Sequence, residues 1–402
     1  MRRAAIRQSF AVAYIAAAIG MPAAFFTIAL PTFMRDGGAS LMEIGLTWIV
    51  WLPSALKWLW APWVGQRAFR NQQSRTRWLM GLCTTLALCF LPVVWLVEGM
   101  AIVPLLALSL LSAAIGVTIQ MVMAGWQIST RTEAARARLN GWAVAGMVVG
   151  GVAGGGLMPV LAVHVSWTVA VPLLSVLIAF AALPAHWLEG DTGTAAETTT
   201  LQSFSQVLKA PGRGRVLIII LLLAGSSGAD MSIPARLIDA GLPTEKVLIL
   251  LGTVATLLAV PAGLLTGFAM ARWGWPMVLG MLLLAKAGVY MLLAFGPSAD
   301  GIFGVADFVL AGALTVATWQ CYMAASRDVV PVTHYGVLTS LDAAIRFCAG
   351  MTAAIVATSL GYPGMFCLFA ILSILAAVVV GIPVLTGLQA SRLAAPFPRR
   401  SR

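Results

Sequence analysis

Apolar residues along this chain come in long runs separated by short polar gaps, and the length of the runs matches the thickness of a lipid bilayer. A helix needs about 20 consecutive apolar residues to cross the hydrocarbon core. Windows of that length recur twelve times, over 8–34, 42–64, 78–97, 101–127, 141–163, 167–188, 214–236, 245–270, 276–296, 301–326, 336–360 and 363–388. The pattern predicts an all-α integral membrane protein with twelve transmembrane helices. The first run is longer than a signal-peptide core and lacks a small-residue cleavage site before the second, so it reads as a retained helix.

The longest polar interval is 189–213, where Glu189, Asp191 and Glu197 accompany a threonine-rich stretch before Pro211 and Gly212. It divides the chain into two six-helix bundles, 1–188 and 214–402, joined by a linker, with a short basic tail at the end. Within the linker Phe204, Val207 and Leu208 lie at helical spacing beside Lys209, which fits a short interfacial helix or a plain connection. The halves also resemble each other. Pro31 to Gly38, with Asp36 between, has the spacing of Pro234 to Gly241 with Asp239, and both second helices carry a mid-membrane proline, Pro53 and Pro261. A parallel repeat of this kind suits a carrier that rocks one bundle against the other around a midplane site.

Composition narrows the class. Sixty per cent of the 402 residues are apolar and 10% charged, and the mean hydropathy is +0.94, which leaves too little polar surface for a water-soluble enzyme. The net charge of +11 could suggest nucleic acid, but the positions of the charges exclude it. Nineteen of the 25 Lys and Arg residues fall in alternate gaps and at the termini, from Arg2, Arg3 and Arg7 through Arg67 to Arg77 and Arg131 to Arg138, on to Arg399 and Arg402. The intervening gaps hold mainly acids, such as Asp36, Glu43, Glu98, Asp239 and Glu245. This is the positive-inside pattern, and it predicts that both termini are cytoplasmic. The five cysteines form no CxxC pair and the three histidines lie apart, so no metal site or cofactor is expected. Any metal would arrive already chelated. No Gly-rich phosphate loop is present, which points to a gradient rather than ATP as the energy source.

An ionisable side chain in hydrocarbon costs about 2.5–3.5 kcal/mol on insertion scales and usually faces a cavity or a partner. Six fall within the runs: Lys57, Asp230, Lys286, Asp307, Asp342 and Arg346. Lys286 is too deep to snorkel and needs a buried partner. Asp342 and Arg346, four residues apart, share one helix face and can pair. That pair is either structural or exchanges partners during transport, with Arg346 available to an anionic substrate. Asp230 follows Gly225-Ser226-Ser227-Gly228, a segment that weakens the helix as at the interrupted helices of transporters. Burial of a lone carboxyl there favours its neutral form, so Asp230 can load a proton, with Asp307 and Asp342 as further proton-coupling candidates. Lys57, Lys286, Arg35 and Arg272 are candidates for ion pairs or gating. Trp126 and Trp319 lie beside Gln120, Gln127 and Gln320, with Tyr322 nearby; flat rings next to amides suit an aromatic, weakly polar ligand, and the alternative is core packing. Glycines 146, 150, 154 and 151, 155 form two ladders at spacing four, expected to bring a helix of the other half close.

Two stretches carry a family resemblance. Gly267, Arg272, Trp273 and Gly274 resemble the G-x-x-x-D-R-x-G loop of the major facilitator superfamily, with Ala271 in place of the acid. Leu30-Pro31-Thr32-Phe33, Arg35, Gly38, Ile44-Gly45-Leu46, Leu52-Pro53, Lys57 and Trp60-Ala61-Pro62 resemble the branch that holds the muropeptide permease, the acetyl-CoA transporters and the inner-membrane siderophore permeases of the pyochelin and rhizobactin type. The tryptophan-rich second helix and the segment from Thr318-Trp319-Gln320 to Ser326 resemble the siderophore group most. Gly65-Gln66-Arg67 departs from the family's Asp-Arg, and no acidic pair stands near Gln120 to Gln127, which argues against a peptidoglycan-fragment substrate. The resemblance implies the major facilitator fold in a bacterial cytoplasmic membrane, with helices 1, 4, 7 and 10 lining the path. It further implies proton-coupled import of a small siderophore or its ferric complex by alternating access. The alternative is a permease or efflux pump for another small amphipathic metabolite. An enzyme would need a clustered nucleophile and base, which the dispersed acids do not provide.

Overall fold

A computed structural model describes residues 2–99, 101–130, 133–188, 213–296, 300–325 and 331–385. The linker with its expected interfacial helix, 189–212, and the basic tail, 386–402, lie outside the described residues. All regular structure described is helical. In chain order the rods are α1 (Ala5–Asp36), α2 (41–68), α3 (Gln72–Glu98), α4 (Ile102–Thr130), α5 (Gly141–His164), α6 (Trp167–Trp187), α7 (Leu217–Asp239), α8 (Thr244–Met270), α9 (Trp275–Phe295) and α10 (Asp300–Ala325), then a final helix, Pro331–Leu385.

Among the described residues ten stretches are long and apolar enough to span a bilayer, and the last of them is 46 residues, more than twice the required length. It is two rods. Gly361 takes φ 70° and ψ 179° inside it, a left-handed conformation that side chains with a Cβ rarely adopt, and so separates α11 (331–360) from α12 (362–385). The second helix, expected to be continuous over 42–64, is instead a chain of short pieces: Leu41–Gly45, the 3₁₀ turn Leu46–Trp51, Leu52–Leu56, the 3₁₀ turn Lys57–Leu59 and Ala61–Ala68. Pro53 and Pro62 each occupy the opening turn of a new piece, where the missing N–H leaves no bond unmade. Counted as rods, the chain agrees with twelve crossings in two six-helix bundles, α1–α6 and α7–α12.

Prolines also shape α1 and α5. A π-helical turn covers Phe25–Ala29, two residues before Pro31, and another covers Ala153–Leu157, two residues before Pro159. Widening the turn accommodates the carbonyl that the proline cannot bond. These helices pack backbone to backbone: a Cβ on Gly146, Gly150 or Gly154 would lie 1.9–2.1 Å from the carbonyl oxygens of Ala13, Ala17 and Met21 in α1. The first glycine ladder therefore serves the same bundle, contrary to expectation. The second is divided: a Cβ on Gly151 would meet Thr256 of α8 at 3.2 Å and one on Gly155 would meet Ala24 of α1 at 3.0 Å, while the Gly155 backbone packs against the other bundle, a Cβ on Gly252 of α8 meeting Gly155 O at 2.1 Å.

Apolar packing is divided between the halves. One buried cluster draws almost wholly on α1–α6, around Phe25, Phe26, Phe90 and Trp126; two smaller ones draw mainly on α7–α12, around Tyr290, Phe366 and Phe369 and around Leu279, Leu283 and Tyr322. Large apolar side chains elsewhere point outward, with Val103 77% and Phe268 74% exposed. Only lipid makes such a surface favourable.

Candidate functional site

The interruption expected in α7 is present. Helix gives way at Ser226–Ala229 to a turn, then a 3₁₀ turn over Asp230–Ser232, before the helix resumes at Ile233. The hydroxyls of Ser226 and Ser227 donate to the carbonyls of Leu223 and Ala224, each at 2.8 Å, taking up acceptors that the broken helix leaves free. Gly228 permits the break to seat against α11 and α12, because a Cβ there would lie 2.5 Å from Ala349 O and from the Phe369 ring. The result turns Asp230 toward α9.

There Lys286 finds its partners. Its Nζ donates to Asp230 Oδ1 at 2.8 Å and to Asp307 Oδ1 of α10 at 3.0 Å. Lys286 and Asp307 are almost fully buried and Asp230 is 20% exposed. The Tyr290 hydroxyl, one turn beyond Lys286, lies 2.6 Å from Asp230 Oδ1 and 3.0 Å from Ser226 O; its single proton can serve one acceptor at a time. Asp307 Oδ2 is buried with no hydrogen-bond partner among the described residues. Lys286, Asp230 and Asp307 stand out one by one in the sequence, whereas Tyr290 is marked there only by its position four residues after a buried lysine.

A second charged group lies on α11. Arg346 Nε donates to Asp342 Oδ2 at 2.7 Å and Nη2 to Oδ1 at 3.3 Å, while Nη1 donates to Ser227 Oγ at 2.7 Å. Tyr322 of α10 donates to Asp342 Oδ1 at 2.7 Å. The Arg346 guanidinium lies 5.7 Å from the centre of the Trp51 ring of α2, within cation–π range. Lys57 crosses between the bundles, donating to Thr339 Oγ1 of α11 at 3.0 Å. A cavity of about 40 Å³, lined by Ser226, Ser227, Asp230, Lys286, Thr315 and Arg346 among others, connects the two charged groups. It has room for about two or three waters at roughly 15 Å³ each.

The remaining candidates are scattered. Trp126 is fully buried in the core of the first bundle, Gln127 is buried and Gln120 is exposed. Trp319 is 43% exposed, next to Thr318 on the cavity wall. The Gln320 side chain lies outside the described residues. Arg272 is exposed where the helix continuing α8 ends at Trp273. Arg35 is placed with Asp239 of α7, Nε and Nη2 donating to the two carboxylate oxygens at 2.6 Å. Tyr362 donates to Asp239 Oδ2 at 2.7 Å, and His164 of α5 lies 3.0 Å from Glu245 of α8. The Arg35 and His164 contacts cross between the bundles, and with Tyr362–Asp239 they cluster at the end of the molecule that carries the turns 37–40 and 240–243. Asp239 stands out in the sequence only through the internal repeat and the acidic gaps, and Tyr362 not at all; nothing there links either to Arg35.

Among the described residues, the charged groups at the site hold three carboxylates of the second bundle, Asp230, Asp307 and Asp342, against its two cations Lys286 and Arg346. They carry one negative charge in excess when all are ionised. Such a group can take up and release one proton or cation while its other charges remain paired.

Two six-helix bundles, the second of them enclosing a charged, solvent-sized hollow within the bilayer, fit a membrane transporter rather than an enzyme. The chain belongs to the Major Facilitator Superfamily, whose family profile matches residues 10–354. It is a multi-pass integral membrane protein of that type. It is 25% identical to an uncharacterised protein of Haemophilus influenzae over 394 residues, covering 87% of this chain and 91% of the relative. Its fold is similar to the crystal structure of the nucleoside transporter NupG, with a TM-score of 0.70 and 11% identity over 94% of this chain and 98% of NupG. The crystal structure of a point mutant of NupG gives a TM-score of 0.69 and 13% identity over 94% and 99% of the two chains.

Proposed function

We propose that this chain is a proton-coupled permease of a bacterial cytoplasmic membrane that carries a small solute by alternating access between its two bundles. The observation that supports this most directly is the buried Lys286 shared by Asp230 and Asp307 beside a cavity. The group Asp230, Lys286 and Asp307 carries one negative charge in excess, so a proton that reaches either carboxylate neutralises that group and its departure restores the charge. Protonation of Asp230 frees the Tyr290 proton to turn toward Ser226 O, 3.0 Å away at the break in α7. Proton loading is thereby tied to the way the interrupted helix is held.

Both termini are cytoplasmic in this reading, as the positive-inside charge distribution supports. The Arg35–Asp239 and His164–Glu245 contacts then seal the periplasmic end, and the conformation is closed to the periplasm. The favoured solute is a small siderophore of the pyochelin type or its ferric complex. That reading is supported by the resemblance of residues 30–64 and by Trp48 and Trp51 at the seam between the bundles, where a Cβ on Gly350 of α11 would lie 2.0 Å from the Trp48 ring. A nucleoside is the second reading, favoured by the likeness to NupG in fold and by the hydroxyl and carboxylate groups that line the cavity.

Whole-cell accumulation of radiolabelled ferric pyochelin and of uridine, with and without the gene and with a protonophore, tests these readings side by side. Gene-dependent, protonophore-sensitive accumulation of ferric pyochelin is expected. Equal accumulation in both strains refutes the siderophore assignment, and gene-dependent uridine uptake replaces it with the nucleoside. Insensitivity to the protonophore, or unchanged pH dependence in Asp307→Asn, refutes proton coupling alone.

A further inference from the structure

Lys286 and Arg346 each have a carboxylate within hydrogen-bonding distance. Lys57 does not: among the described residues its ammonium bonds to the neutral Thr339 hydroxyl, across the seam between the bundles. Thr339, Asp342 and Arg346 follow one face of α11 at spacings of three and four. A rise of about 1.5 Å per residue sets Thr339 and Arg346 about 10 Å apart, so Lys57 and Arg346 bracket Asp342 from either side. Tyr322 and Arg346 already satisfy that carboxylate. The group Lys57, Asp342 and Arg346 therefore carries one positive charge in excess. Beside it the Trp51 ring supplies a flat surface, and the buried Trp51 Nε1 is a donor with no partner among the described residues. The neighbouring group Asp230, Lys286 and Asp307, with Tyr290 against it, carries one negative charge in excess.

We propose that the substrate is an organic monoanion with a flat ring, its carboxylate received by Lys57 and its ring against Trp51 beside Arg346, and that it moves together with one proton held by Asp230 and Asp307. The charge balance makes the coupling obligatory. With nothing bound, Lys57, Lys286 and Arg346 balance Asp230, Asp307 and Asp342 across the two groups; with the anion and the proton both bound they balance again. The anion alone or the proton alone leaves a net charge in the hydrocarbon, and the bundles then reorient against a dielectric penalty. Empty and fully loaded carriers reorient freely, and half-loaded ones do not. This inference rests on the proton-coupled reading above and names the class of its solute.

The test uses the purified full chain in nanodiscs and follows its thermal unfolding midpoint with benzoate, salicylate and indole-3-acetate, each paired with its neutral amide. At least one acid is expected to raise the midpoint while its amide does not. Lys57→Gln is expected to weaken that acid's binding by about tenfold or more, the loss of one charge-assisted contact. Lys57→Arg retains it and shows that the charge, not folding, is responsible. The proposal is overturned if no acid stabilises the protein, if acid and amide stabilise it equally, or if the effect survives Lys57→Gln. Acid binding that depends on Lys57 but is indifferent to pH in the unmodified protein keeps the anion site and refutes the proton-coupled reading instead.

Discussion

Replacing Lys286 by Met is the perturbation whose consequence follows most directly from the geometry. The ammonium stands 2.8 Å from Asp230 Oδ1 and 3.0 Å from Asp307 Oδ1, so the two oxygens are at most about 6 Å apart, a separation at which like charges repel by about 3 kcal/mol at an effective dielectric of about 20. Lys286 and Asp307 are 1% and 0% exposed, so bulk water screens them little. Removing one partner of a buried pair typically costs about 3–5 kcal/mol, and that loss is expected for Lys286→Met. Adding Asp307→Asn removes both the repulsion and a buried charge, and the double variant should recover most of the loss, giving a coupling energy of about 2–3 kcal/mol. Unfolding followed by tryptophan fluorescence in micelles of one fixed detergent measures both quantities. A single variant within about 1 kcal/mol of the parent, or a double variant no more stable than the single, would show that the two carboxylates do not depend on this ammonium.

Two further outcomes test other parts of the account. Arg35→Ala should shift the carrier away from the conformation closed at the Arg35–Asp239 end by about 0.5–1 kcal/mol, the usual worth of a partly exposed ion pair, read as increased labelling of a cysteine at the buried Ala39; the reversed pair Arg35→Asp with Asp239→Arg should restore the original labelling. Gly154→Ala should destabilise the first bundle by about 1–3 kcal/mol, because its Cβ would lie 1.9 Å from Met21 O. Gly81→Ala meets nothing within 4 Å and should instead gain a few tenths of a kcal/mol or more from helix propensity.

Much of the fold was legible because lipid imposes a length on every crossing, so run length alone marked the rods, and Gly361 fell in the short gap between the last two. The break at Ser226–Ala229 was legible too, since glycines and serines together announce a helix that cannot hold its ladder. What periodicity could not reveal was the partition of α2, where Pro53 and Pro62 restart the helix instead of kinking it. Nor could it show which glycine ladder faced which neighbour, because both ladders have the same spacing and only packing tells their faces apart. At the site, Asp342 and Arg346 were readable as a pair because one helix turn separates them. Lys286 advertised a need for a partner but not its identity, since Asp230 and Asp307 come from other helices, 56 and 21 residues away. The same holds for Lys57 with Thr339 and Arg35 with Asp239, separated by 282 and 204 residues.

The claim on which the rest depends is that the two bundles move against each other under control of the buried proton site. Spin labels at the exposed positions Gln66 of α2 and Arg272 beyond α8, in a background lacking the five native cysteines, report the distance between the bundles by double electron–electron resonance. The account predicts two distance populations whose ratio changes with pH in the parent protein and is fixed in Asp307→Asn. A single distance, the same at every pH and in both proteins, would contradict it.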